Sequence, residues 1–206
     1  MATKSPTRPK RLTREEAKAQ TRALLLETAR NMFAQRGYDA TALEEIAAEA
    51  GFTKGAMYFH FASKDALFLE LLTIGLRTQT DEINGLIDLA ATSPDSLTRE
   101  FRRWLDDFDE NPIMPLLGVE LQMAVRRNPA MAQQFAEILG NYQLRMAEFL
   151  RNYLRITGRK PAVPLELLPA TIVAVTEGLA LNRQTQGRDA VASMRRMILL
   201  LLGDDE

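Results

Sequence analysis

Between Thr41 and Lys64 the chain gathers two threonines, two lysines, a tyrosine and its one histidine, His60, interleaved with glycine and alanine. These groups donate hydrogen bonds and carry positive charge. They do not form a nucleophile-base-orienter set for bond making: the chain has no cysteine and a single histidine, which lies within this segment, and no Gly-rich phosphate loop or metal-ligand cluster is visible. The pattern therefore argues against an enzyme, and no cofactor or metal is expected. The chemistry on offer is recognition by hydrogen bond and charge.

Local signals predict the elements that position these groups. Leu25, Ala29, Met32 and Phe33 recur at helical spacing in a first helix over 14–35, which Gly37 ends. Thr41 and Glu44 read as a capping box opening a short helix with Leu43, Ile46, Ala47 and Ala50 on its buried side. Gly51 supplies a tight turn and Phe52 pins it, and Thr53 caps a second short helix, 54–59. Helix, glycine turn and helix within about twenty residues, backed by a supporting helix, is helix-turn-helix geometry. Small residues at Ala47, Ala50 and Gly51 let the two helices cross closely, and Met57 and Phe61 read as core.

The segment from Thr41 to Leu67 resembles the DNA-binding signature of the TetR family of bacterial regulators, and the likeness extends back through Gly37, Phe33 and Ala29 to about Arg22. It covers roughly a quarter of the chain. The resemblance implies an all-α fold of about nine helices, with an N-terminal three-helix DNA-binding domain and a C-terminal helical domain for ligand binding and dimerisation. It also implies that Thr41 and Thr53 meet phosphates at helix N-termini, and that Lys54, Gly55 and Ala56 face the major groove. Tyr58, His60 and Lys64 align with positions that hold the DNA backbone, and Phe59 combines packing with backbone contact. Gly55 and Ala56 offer little to read bases with, so specificity leans on Lys54, the basic arm and DNA shape.

Charge agrees with this division. Residues 1–64 sum to +4 and residues 65–206 to −5, so a basic head precedes an acidic body, as a duplex-binding head would require. The expected organisation is a basic arm over 1–13, a helix-turn-helix domain over 14–66 and a ligand-binding and dimerisation domain over 67–206. No export signal and no apolar run long enough to span a bilayer is visible, which points to a cytoplasmic protein without membrane attachment.

Further helices are expected over 64–89 (capped by Ser63), 94–108 (capped by Ser93), from Pro129 after an Asn128 cap, and over 165–186 and 189–202, with a loop at 109–112. The last two carry apolar stripes, Leu168, Ile172, Val175 and Leu179, then Val191, Met194, Ile198 and Leu201, read as a homodimer interface. Two heads would then address a palindromic double-stranded DNA operator. For an unknown small-molecule effector the nominated pocket residues are Trp104, Phe108, Met114, Glu120, Met123, Tyr142, Met146, Phe149 and Glu177. Glu120 and Glu177 are carboxylates on apolar faces and need a partner, either a cationic ligand group or an arginine such as Arg126, Arg127 or Arg145. The function implied is a repressor released from its operator by a small, mostly apolar effector. An effector-independent dimeric DNA-binding protein and an activator are the alternatives.

Overall fold

The computed structural model describes residues 13–92, 94–110, 112–187 and 193–204, and the side chains at 90, 91, 92, 94, 108, 109 and 127 lie outside the description. Among the described residues the chain is all-α, with nine helices: α1 Arg14–Arg36, α2 Leu43–Glu49, α3 Lys54–His60, α4 Lys64–Thr92, α5 Pro94–Glu110, α6 Ile113–Arg127, α7 Pro129–Thr157, α8 Leu168–Gln186 and α9 Met194–Leu201. No helix among these residues is long and apolar enough to cross a membrane. The expected basic arm, the Ser93 cap, Val191 and the Phe108 side chain fall outside the described residues, apart from Thr13.

Thr13 caps α1 in a capping box with Glu16. Leu25, Ala29, Met32 and Phe33 form its buried face as expected, and Gly37 breaks it at φ 82°. The α2 start is corrected by one residue. Ala42 is the N-cap, with its N–H donating to Glu45 (3.1 Å), while the Thr41 hydroxyl turns inward and donates to the Gly37 carbonyl (2.8 Å). Thr41 is buried at 1% exposure because closing the α1–α2 loop satisfies its hydroxyl inside. At the other caps local chemistry held: Thr53 on α3, Ser63 on α4 and Asn128 on α7 each accept a backbone N–H of the first turn.

Two cores share the long α4. Its first half, Leu67, Phe68, Leu71 and Leu72, packs with α1, α2, Met57 and Phe61, and also with Leu117, Leu121 and Ala124 of α6. Its second half, Ile83 and Leu86, packs with α5, α7, α8 and α9 around Phe101, Phe149 and Tyr153. The head is thus built against both α4 and α6. At the far end buried Asp204 pairs with Arg102 of α5 (3.1 Å) and with Arg159, tying the segment after α9 to the body.

The apolar stripes of the last two helices face largely inward, a correction to their reading as an outer surface. Leu168, Ile172, Met194 and Ile198 are buried within the protomer, and Val175, Leu179 and Leu201 are half-buried. α6, α7 and α5 pack on α8 and α9 and consume those faces. What α8 leaves outward is a different row: Leu167 just before it, then Ala170, Ala174, Gly178 and Leu181, with Leu200 on α9.

Candidate nucleic-acid interface and effector cavity

α3 is seated by one side chain. Met57 is fully buried, and the α2–α3 turn is set by Gly51 at φ 78° with the Phe52 N–H donating to the Ala47 carbonyl (2.7 Å). A helix of seven residues anchored on one side presents the rest outward. Thr53, Lys54, Gly55, Tyr58 and Phe59 are exposed, Ala56 and His60 are half-buried, and Phe59 at 70% exposure carries far less packing than the sequence suggested. Its ring lies edge-on to His60 and under Lys18 of α1, whose ammonium is 5.3 Å from the centroid.

Glu44 of α2, displaced from the cap by the one-residue shift, reaches across to α3. It pairs with Lys54 (2.8 Å) and accepts from the Tyr58 hydroxyl (3.1 Å). The Lys54 hydrogen bond holds this exposed carboxyl below its ordinary value, and Glu44 in turn raises the Lys54 ammonium. Lys54 therefore stays charged and is pre-positioned beside Tyr58. Desolvation, followed by the nearby charges of Arg22 and Lys18, pushes His60 below its ordinary value, so the imidazole is neutral at pH 7. Its Nδ1 is buried with no hydrogen-bond partner among the described residues.

Lys64 departs from its expected outward role. Its ammonium donates to the carbonyls of Tyr38 (2.8 Å), Thr41 (3.1 Å) and Asp39 (3.4 Å) and lies 4.3 Å from the centre of the Tyr38 ring. It clamps the loop between α1 and α2. Arg22 is a second clamp: the guanidinium forks onto Glu70 of α4, donates to the His60 carbonyl (2.7 Å) and covers the Phe61 ring. Long-range pairing of this kind leaves no local sequence signal.

The same loop is held from the body. Glu120 of α6 accepts the Tyr38 N–H (2.7 Å), the Tyr38 hydroxyl donates to Asp65, and Asn128 at the end of α6 donates to the other Asp65 oxygen (2.8 Å). Glu120 is thus satisfied by backbone of the head and lines neither of the two cavities that flank α4, which corrects its nomination; Arg145 pairs instead with Glu148.

Two cavities flank α4, one where head and body meet and one within the body. The outer crevice, about 520 Å³ between α1, α4, α5 and α6, is lined by Trp104 and Met114 among others. The inner one, about 50 Å³ between α4, α6, α7 and α8, is lined by Met114, Tyr142 and Glu177. The remaining nominees are corrected. Met146 and Phe149 are core at 4% and 2% exposure, because α7 turns them onto α4 and α5, and Met123 is half exposed on the outer side of α6. Glu177 stands over Gly118, where a Cβ would collide with its carboxylate, and it accepts the Gln122 amide. Burial pushes its carboxyl up to about 7. Sequence reasoning missed Gln79, which lines both cavities at 8% exposure; a glutamine on the Leu72–Leu76–Ile83 face was the available signal.

A helix-turn-helix head on a separate helical body defines a class of DNA-binding regulators, and comparison specifies it. Residues 25–71 match the family described as bacterial regulatory proteins, tetR family. YuxN, an HTH-type transcriptional regulator of Bacillus subtilis, is 51% identical over 49 residues, 24% of this chain and 17% of that protein. The HTH-type transcriptional repressor Rv1474c of Mycobacterium tuberculosis is 28% identical over 180 residues, 85% of this chain and 88% of its own. The chain spans only 17% and 28% of the lengths of two curated relatives it matches, YuxN and AcrR of Shigella flexneri. In three dimensions the chain is similar to a TetR-family regulator from Agrobacterium tumefaciens (TM-score 0.70, 16% identity, 90% of this chain and 99% of that one). It is also similar to FadR of Bacillus subtilis in complex with stearoyl-CoA (TM-score 0.65, 16% identity, 89% and 98%). The head thus matches the TetR family of bacterial regulatory proteins over residues 25–71, and the chain as a whole shares its fold with TetR-family regulators.

Proposed function

We propose that this protein is a ligand-responsive repressor of transcription, a homodimer whose two α3 helices occupy successive major grooves of a palindromic operator until a small, mostly apolar effector draws them off that spacing. The observation that carries the reading is the outer face of α3, where Thr53, Lys54, Gly55 and Tyr58 stand exposed on a helix fixed by buried Met57. Lys54 leaves Glu44 for guanine O6 and N7, the Ala56 methyl meets a thymine methyl, and Thr53, Tyr58 and the neutral His60 contact phosphates. Thr41 and Lys64 act from behind by holding the α1–α2 loop.

Residues 14–66 serve as the reading head and 67–206 as the sensing and dimerising body. The outward row Leu167, Ala170, Ala174, Gly178 and Leu181 gives α8 a face of small residues flanked by leucines, suited to close approach of a second copy, with Leu200 of α9 beside it. A structural neighbour bound to stearoyl-CoA supports an amphipathic effector within such a body. Entry of the effector between α4 and α6 shifts both helices, and the Glu120, Asp65 and Lys64 contacts carry the shift to the head. Linkage then requires that operator DNA weaken effector binding by the factor by which effector weakens DNA binding. Such a regulator works on the chromosome, in the bacterial cytoplasm.

Selection of tight-binding duplexes from a random pool by the full-length protein, repeated with Lys54→Ala, tests the reading. An enriched two-fold palindrome whose half-sites change with the variant is the expected outcome. Salt-sensitive binding with no enriched sequence would reject it.

A further inference from the structure

The two cavities share a wall. Gln79 and Met114 line both, and the Met114 thioether lies against Gly75, where a Cβ would collide with it. An unbranched methionine with three rotatable bonds is a movable partition. With Met114 turned aside the crevice and the inner cavity become one space, within the range of small-molecule sites.

The polar groups facing that space are unbalanced in one direction. Glu27, Glu82 and Asp107 line the crevice against the one guanidinium of Arg30. In the inner cavity, Glu177 receives the Gln122 amide and no cation from any described residue. The Gln79 amide at 8% exposure and the Tyr142 hydroxyl at 5% make no hydrogen bond with a described residue. Buried polar groups are as a rule paired, so two such side chains beside a carboxylate that has no cation call for a ligand that supplies the partners. Acids do not suit: a carboxylate entering here would meet three carboxylates at the mouth and a fourth within.

We propose that the crevice and the inner cavity form one site for an amphipathic amine in its protonated form, whose ammonium donates to Glu177, the Gln79 carbonyl oxygen and the Tyr142 hydroxyl while its apolar body lies along Leu71, Met114 and Trp104. This rests on the effector-binding reading above and names the class of effector. The acidic mouth concentrates cations, and Met114 closes behind the ammonium.

Trp104 is the sole tryptophan of the chain and lines the crevice, so its fluorescence reports occupancy without DNA. Decylamine, decanol and decanoate, matched in chain length and kept below micelle formation, are titrated into the full-length protein. Decylamine is expected to bind about tenfold more tightly than decanol, the difference between a charge-assisted and a neutral hydrogen bond, with decanoate weakest. Glu177→Gln should remove that preference, with a near-UV circular dichroism spectrum matching wild type showing the variant folded. Gly75→Leu should displace Met114 and weaken all three ligands alike.

Equal binding of amine and alcohol, tighter binding of decanoate, no binding of any of the three, or an amine preference that survives Glu177→Gln would overturn the assignment. Selective amine binding that fails to release operator DNA would instead retain the site and reject derepression. Release of DNA by decanoate alone would retain derepression and reject the amine.

Discussion

Replacing Glu177 by glutamine should stabilise the protein at alkaline pH and leave its relative stability unchanged under acid conditions. The carboxyl is pushed from its ordinary 4.5 up to about 7 by desolvation alone, and the only other titratable group lining its cavity is Tyr142, whose phenol is itself raised by burial and by Glu82. Below pH 4.5 Glu177 is protonated in the folded and unfolded states alike and contributes no pH dependence. Between 4.5 and about 7 the folded state retains a proton that the unfolded state has released, so stability falls as pH rises through that window.

At about 1.36 kcal/mol per pH unit the interval sets a ceiling of about 3.4 kcal/mol. The carboxylate keeps part of its surface in water, and screening there leaves about 1–2 kcal/mol. Glutamine preserves the acceptor for Gln122 and cannot ionise. The difference between variant and wild type should therefore grow by about 1–2 kcal/mol between pH 4.5 and pH 8, or about 2–8 °C in midpoint for a chain of this length. Calorimetry of both proteins at one concentration across that range reads it directly, because every other titrating group cancels in the difference. A difference that stays flat with pH would refute the desolvation argument, and a variant less stable at pH 8 would show that a cation already pairs with Glu177.

Two further substitutions separate positioning from contact at the head. Lys64→Ala strips the ammonium from three carbonyls and should cost about 1–3 kcal/mol in a urea midpoint. The salt dependence of DNA binding should stay unchanged, whereas a slope lower by about 1 would show that the ammonium turns outward to a phosphate. Glu120→Ala leaves the Tyr38 N–H without its acceptor and should cost about 1–2 kcal/mol, most of it restored by Glu120→Gln. Amine affinity should persist in Glu120→Ala while amine-driven release of DNA weakens, and unimpaired release would show that α6 carries none of the signal.

The parts of this structure legible in the sequence are those whose causes are local. Asn128-Pro129, Ser63 and Thr53 start helices where their side chains dictate, and Gly37, Gly51 and Gly158 turn where φ must be positive. Thr41 fails the same test because a tertiary demand outranks the cap: its hydroxyl is worth more on the Gly37 carbonyl inside the loop than on a helix terminus in water. The stripes on α8 and α9 were visible, but periodicity names an apolar face without saying what covers it, and here α5, α6 and α7 do. The cavity was half legible. Glu177 announced itself as a polar group on an apolar face, and Gln79 meets the same criterion between Leu76 and Ile83. That Gly118 makes room for Glu177, or that Met114 lies on Gly75, depends on pairings across distant segments that no local pattern encodes.

One helix joins the two halves of the molecule. α4 is continuous from Lys64 to Thr92 and carries the clamp of the α1–α2 loop at its start and Gln79 near its middle, about 22 Å apart at 1.5 Å per residue. Under the proposed mechanism a ligand that displaces Met114 pushes on α4 at Gly75 and on α6 at once. A tilt of about 10° over that length moves the clamp by about 4 Å, a large fraction of a helical turn and within the range of helix shifts that drive switching. The loop does not lag behind, because Lys64, Asp65, Glu120 and Asn128 grip it from both helices. α3 follows the loop through Arg22, which joins α1 to Glu70 and to the end of α3. Small motions at the cavity thus become displacements of the reading helix without any flexible joint between them, and the polar contacts of the junction set how much of the motion arrives.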